Sequence, residues 1–274
     1  MTSERPPTIV ADLHVHTTAS DGVLEIAEIP AIASQNGLSA VAITDHDRLH
    51  PDLESPTTRR DDITLIRGIE LRVEADDGKR FDLLGYVARE SQELVALCER
   101  IQSNRISRAK AMSDRLEDQL GIQLDIDFTH GVGRPHLAQA VSTHPRTDLS
   151  ERDVFRELIG SGKPCYVSRW VPSIDNGLAI LEDACALISV AHPFRYNDIE
   201  RTLALARRVG AIERWYPYER TLSTNPVASA ITQYNLLPTG GSDAHDRHLG
   251  KQGVPQEAYD HFASHCGIAN RSEP

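Results

Sequence analysis

Lysine is scarce in this sequence. Only Lys79, Lys110, Lys163 and Lys251 occur among 29 basic residues, and 40 acidic residues leave a net charge of −11. Such a chain lacks the positive field that a stable nucleic-acid binder presents to phosphates. Bound cations can still outweigh that global field locally for a phosphate ester. Cysteine is also sparse: Cys98, Cys165, Cys185 and Cys266 lie far apart with no C-x-x-C pair. Buried free thiols are therefore expected in place of a thiolate zinc site or a disulfide framework. No apolar run approaches the roughly 20 residues of a membrane span, and the mean hydropathy is −0.36. The first residues, MTSERPPTIVADLHVH, contain no basic-then-apolar signal, so the expectation is a cytoplasmic chain with no membrane partner. Internal repeats and low-complexity segments are absent as well.

What is present fits an α/β chain of 274 residues, long enough for one barrel of about 250 residues and a substantial core. Thr8–Leu13, Leu38–Thr44, Ile63–Leu71 and Arg80–Val87 read as strands, with helical character over Leu24–Asn36. Strands separated by helical segments predict βαβ units and a mainly parallel sheet. From residue 91 to residue 164 the pattern turns helical. Ser91–Leu120 carries long helical periodicity, and Ser150–Ser161 is a second helix with Ser150 as N-cap and Asp153 at N3. A strand over Gln123–Phe128 is only weakly signalled. The alternation then resumes, with strands at Ala186–Ala191, Ala211–Trp215 and Leu236–Thr239 and helices at Ile199–Val209 and Val227–Tyr234. The division expected is a barrel over 1–90 and 165–274 with a helical insertion over 91–164, and a frayed tail after Gly267.

The chemistry lies at the strand ends. Nearly every strand ends in or just before a metal-ligand residue type: His14 and His16, Asp45-His46, Glu70, Asp82, His192, then Asp243 and His245. In parallel α/β folds the C-terminal strand ends form the face that carries active sites. Residues i and i+2 of a strand point the same way, so His14 and His16 can aim at one ion. One H-x-H alone would be ordinary strand histidines; the joint pattern is not. This donor set of nitrogen and oxygen suits Zn²⁺, Mn²⁺ or Fe²⁺, with Mg²⁺ also admissible, and disfavours structural thiolate zinc. So many anionic and imidazole groups on one face call for two or more cations. His50, His130, His144, His248, His261 and His265 read as surface or hydrogen-bonding histidines.

These motifs resemble the polymerase and histidinol phosphatase (PHP) family. The matching segments are Asp12-Leu13-His14-Val15-His16-Thr17, Ser20-Asp21-Gly22, Ile43-Thr44-Asp45-His46, Gly68-Ile69-Glu70, Ala191-His192-Pro193 and Gly241-Ser242-Asp243-Ala244-His245. The resemblance implies a distorted (β/α)₇ barrel with a helical insertion and a centre of two or three divalent ions. One ion would take His14, His16, Asp243 and a bridging Glu70. A second would take Glu70, His192 and a ligand from the next strand, and a third Asp21, His46 and His245. The helical insertion with Gly133-Arg134-Pro135-His136 is similar to the branch of 3′,5′-nucleotide bisphosphate phosphatases and 5′→3′ oligoribonucleases. That similarity makes Arg134 and His136 contacts to substrate phosphate, a task a guanidinium fork suits, with Arg195 as a further contact. The chain departs from that branch at Asp82-Leu83-Leu84-Gly85-Tyr86, where Asp82 stands in place of the usual His as the second ion's ligand.

The expectation is thus a metal-dependent phosphoesterase acting on a nucleotide 3′,5′-bisphosphate or a short oligoribonucleotide. Ions about 3.5–4 Å apart would share a hydroxide that attacks phosphorus in line. Arg134 and His136 would position the phosphate, and Asp45 would orient His46. The competing readings are a histidinol-phosphate-type phosphatase and a non-catalytic metal-binding module.

Overall fold

The computed structural model describes residues 8–129 and 131–269. His130 and the residues beyond Ala269, which include most of the tail expected to fray, lie outside them. The chain divides into two compact units, Met1–Val95 with Pro172–Pro274, and Ala96–Val171. The expected cuts were 90/91 and 164/165.

The first unit holds one mixed sheet. Its strands are β1 (Ile9–Val15), β2 (Ala40–Ile43), β3 (Thr57–Arg60), β4 (Ile63–Glu74), β5 (Arg80–Tyr86), β6 (Leu187–Val190), β7 (Ala211–Trp215), β8 (Leu237–Gly240) and β9 (Val254–Pro255). They lie in the order β8-β7-β6-β5-β4-β2-β1-β9, and β3 pairs onto β4. Seven of them, β1, β2 and β4 to β8, form the staves of a nearly closed barrel. The ring is drawn shut beyond β8: Ala244 bridges Val15 in parallel, and the His16 N–H donates to the Ala244 carbonyl at 3.0 Å. Gly241 makes this possible, because a Cβ there would run into the N and Cβ of His14. Inside, Leu13, Ala42, Ile66, Leu84, Tyr86, Ala191 and Phe262 are buried in one cluster. Val15, Ile29, Val41, Ile43 and Leu65 form another.

The sheet is less parallel than expected. β1–β2, β2–β4, β6–β7 and β7–β8 are parallel, but β5 runs antiparallel to both β4 and β6. A tight turn closed by Ala75 N–H to the Lys79 carbonyl, with Gly78 at φ 79°, joins β4 to β5 as a hairpin. The consequence is local. Asp82 sits near the start of its strand, yet reaches the same face as Glu70 near the end of β4.

The helices of this unit are α1 (Ile29–Gln35), α5 (Ile174–Ala184), α6 (Ile199–Val209), α7 (Asn225–Tyr234) and α8 (Gln256–His265). α1 is shorter than predicted because Pro30 is confined to its first turn. Sequence reading missed β3, β9, α5 and α8, and in the second unit the helix over Arg134–Ser142. The second unit contains most of α2 (Gln92–Leu120), together with α3 (Arg134–Ser142) and α4 (Glu151–Val154), which runs on into a single π turn at Phe155–Ile159. Ser150 caps α4, its Oγ accepting the Asp153 N–H at 3.2 Å. Met112, Leu116, Leu137, Val141, Val154 and Ile159 form this unit's own core. Gln123–Phe128 is not a strand.

Candidate metal centre

β1 carries His14, and His16 follows its last residue; both are fully buried. Glu70 enters from β4 and is almost fully buried. His46 follows β2 and forms an isolated bridge with Glu70. His192 follows β6, while Asp243 and His245 follow β8. His192 and Asp243 hold left-handed backbone, at φ 29° and 50°.

These side chains converge into three groups whose ligand atoms lie within 4.8 Å of one another: His16 with Asp21, His46 and His245; His14 with His16, Glu70 and Asp243; and Glu70 with Asp82 and His192. In the central group, His14 Nε2 is 3.3 Å from Asp243 Oδ1 and 3.5 Å from Glu70 Oε1. His16 Nε2 is 3.1 Å from Asp243 Oδ1 and 3.4 Å from Glu70 Oε2. The other ring nitrogen of His16 faces Asp21 at 3.9 Å, so His16 presents one nitrogen to each of two groups. Asp21 Oδ1 lies 3.3 Å from His245 Nε2, and its Oδ2 3.7 Å from His46 Nε2.

The first two groups fit divalent cations on two counts. His14 Nε2, both nitrogens of His16 and Asp243 Oδ1 are buried without a well-aligned hydrogen bond, a costly arrangement unless something else satisfies them. The charges also demand cations. Burial alone would raise Glu70, but the His46 and His14 imidazoles hold it well below the usual carboxylate range. Burial likewise opposes charge on His46, yet Glu70 and Asp21 push it up to about 9. Protons on imidazole serve where metal ions would serve better. The third group differs, because Asp82 already has a cationic partner in Arg72.

Several supporting residues were not foreseen. Glu213, on β7, is 1% exposed. Its Oε1 lies 3.1 Å from His14 Nδ1 and its Oε2 accepts the His192 N–H at 2.6 Å. Asp12 accepts the Ser242 N–H and hydroxyl and the Gly250 N–H, which ties the Asp243 loop to β1. Tyr216 donates to Asp243 Oδ2 at 2.8 Å. A Glu in a strand reads as a solvent-facing residue, and only a count of charged positions within apolar strands could have flagged Glu213.

Asp45 departs from expectation. It is fully buried, and its oxygens accept from the Thr17 N–H and hydroxyl at 2.8 Å and from the Ser20 hydroxyl at 2.6 Å. Asp45 thus fastens the loop leading to Asp21 and does not orient His46, whose Nδ1 meets Glu70 Oε2 at 2.7 Å. Arg195 stands at the rim, half-exposed, with Nη1 3.3 Å from Asp243 Oδ2 and 3.2 Å from the Tyr216 hydroxyl. Arg134 and His136 belong to the second unit, in the first turn of α3. There the Arg134 guanidinium lies over the Phe155 ring and His136 Nδ1 accepts the Gly133 N–H at 3.1 Å.

The PHP domain matches residues 12–133. A phosphoribosyl 1,2-cyclic phosphate 1,2-diphosphodiesterase of Eggerthella lenta is 27% identical over 251 residues, covering 87% of this chain and 95% of that protein. A 3′,5′-nucleoside bisphosphate phosphatase of Chromobacterium violaceum is 30% identical over 201 residues, 70% of this chain and 69% of that one. Among solved structures, an amidohydrolase from Chromobacterium violaceum superposes with a TM-score of 0.71 at 23% identity, covering 93% of this chain and 96% of that chain.

Proposed function

Because this chain belongs to the PHP-domain family, we propose that it is a metal-dependent phosphoesterase acting on a nucleotide 3′,5′-bisphosphate or a short oligoribonucleotide. The observation that carries the reading is the convergence of buried donor atoms from His14, His16, Glu70 and Asp243, those of His14, His16 and Asp243 without a well-aligned hydrogen bond. Mn²⁺, Zn²⁺ or Fe²⁺ held there would neutralise phosphoryl oxygens and acidify water, which is the chemistry phosphate-ester hydrolysis needs.

The chain's own residues supply the rest. Glu70 belongs to two of the groups, offering a carboxylate to each. Glu213 fixes the ring of His14, and Asp45 fixes the loop that presents Asp21. Arg195, beside Asp243, offers guanidinium N–H groups to a phosphate at the rim. Arg134 and His136 are proposed as phosphate contacts on the strength of the Gly133–His136 motif. The net charge of −11 supports a small substrate over stable nucleic-acid binding. Free cysteines and the lack, among the described residues, of a helix able to cross a membrane support a cytoplasmic setting.

A second reading, cleavage of a cyclic ribose phosphate diester, is favoured by the Eggerthella lenta relative, which this chain covers almost end to end. A panel with Mn²⁺ tests both: adenosine 3′,5′-bisphosphate, a short 5′-phosphorylated oligoribonucleotide, a 1,2-cyclic ribose phosphate and histidinol phosphate. Turnover of the first two is expected. Turnover confined to the cyclic diester selects the second reading, turnover confined to histidinol phosphate overturns both, and none at all leaves a metal-binding module.

A further inference from the structure

Arg72 and Asp82 face each other directly across the β4–β5 hairpin. Arg72 lies two residues beyond Glu70 on the same strand, so both side chains share one face of the sheet. Arg72 Nε meets Asp82 Oδ1 at 2.7 Å and Nη2 meets Oδ2 at 2.8 Å. This is the two-pronged guanidinium–carboxylate pairing, among the strongest ion-pair geometries available to a protein. Asp82 is buried, and its Oδ2 lies only 3.7 Å from His192 Nε2, which in turn sits 3.0 Å from Glu70 Oε1.

The contrast with the neighbouring groups is chemical. Those around His14 and His16 leave the nitrogens that face the carboxylates without a well-aligned hydrogen bond, whereas both Asp82 oxygens and His192 Nε2 are already engaged and only His192 Nδ1, the ring nitrogen that makes none of these contacts, has no partner. A divalent ion added at Glu70, Asp82 and His192 would have to share the carboxylate with a guanidinium of like charge. Such a pair resists that, because separating it takes the guanidinium from a carboxylate that is itself buried. Arg72 also keeps 38% of its side chain open to solvent, so N–H donors not used on Asp82 remain for an anion.

Resting on the phosphoesterase reading, we propose that the Arg72–Asp82 pair replaces a metal ion. This chain holds two divalent ions, in the groups built on His14 and His16, and the Arg72 guanidinium is the permanent cation at the Glu70–Asp82–His192 position.

The test is a count. Mn²⁺ is titrated into the metal-free full chain while the free ion is followed by electron paramagnetic resonance. The wild type should saturate at two equivalents, and Arg72→Ala, which releases the Asp82 carboxylate, should saturate at three. Asp82→Asn should stay at two. Three equivalents in the wild type, or two in a folded Arg72→Ala, overturns the inference and leaves the phosphoesterase reading standing. The wild-type count decides even if the variant does not fold. A wild type that binds no ion overturns both.

Discussion

His14 Nδ1 and Glu213 Oε1 lie 3.1 Å apart, and neither side chain reaches solvent. That contact fixes which ring nitrogen of His14 is left for the cluster: with Nδ1 committed to Glu213, Nε2 faces Asp243 and Glu70. Glu213→Gln keeps the shape and removes the charge. Mn²⁺ affinity should fall about 10- to 100-fold, the usual effect of disturbing a ligand's outer partner, with the fold intact by circular dichroism. An unchanged affinity would show that Glu213 serves packing alone.

Gly241 is where the strap beyond β8 passes directly against His14 of β1. In Gly241→Ala the new methyl collides with backbone as well as side-chain atoms of His14, so a rotamer change cannot relieve it. We expect a loss of about 1–3 kcal/mol, the range for overpacking a tight site, read from the urea midpoint. A variant as stable as the parent would mean that the strap has room to move.

Removal of cations should weaken the first unit more than the second. The unpartnered nitrogens and oxygens of His14, His16 and Asp243 lie on a barrel strand and the loops of that unit, and the second unit has its own apolar core. Adding Mn²⁺ at about 100 times its dissociation constant should stabilise the chain by ~2.7 kcal/mol. Hydrogen exchange with and without chelator locates the effect: faster exchange confined to Ala96–Val171 on chelation would contradict it.

Cys266 lies under the barrel among Tyr86, Tyr259 and Phe262, and burial pushes its thiol up to about 12. In the unfolded chain the same thiol titrates near ~8.5. The folded state therefore holds the proton to higher pH. Cys266 opposes unfolding less and less as pH rises from the unfolded value toward about 12. At pH 8.5 iodoacetamide should leave Cys266 unmodified in the native chain and label it rapidly in urea, as mass spectrometry of peptides would reveal.

Much of the centre was legible because a strand repeats every two residues. His14-Val-His16 in an apolar run admits one arrangement, with both rings on one face, and Asp243-Ala-His245 carries the same spacing. The boundaries of α6 and β7 were equally plain, at Ile199–Val209 and Ala211–Trp215 in sequence and structure alike, and in the structure Asp198 caps α6 at its start and Gly210 at its end. What escaped depends on partners distant in sequence. Glu213 is 199 positions from His14, and its burial follows only from barrel closure. The pairing of Arg72 with Asp82 depends on hairpin register, and the reversed direction of β5 is what lets a residue near a strand's beginning join residues placed at strand ends. Asp45 adjoins His46 in sequence but bonds Thr17 and Ser20, since neighbours along extended chain point to opposite sides.

His192 and Asp243 hold their positions with a backbone twist that side chains with a Cβ adopt reluctantly, at roughly 1–3 kcal/mol apiece. The surrounding barrel supplies that margin. Glycine at either place would ease the chain while deleting the donor atom, so ruggedness and turnover pull these two positions in opposite directions. A laboratory lineage selected for heat tolerance alone would drift toward inert descendants here first, and one selected for turnover would keep both residues despite the fragility they bring.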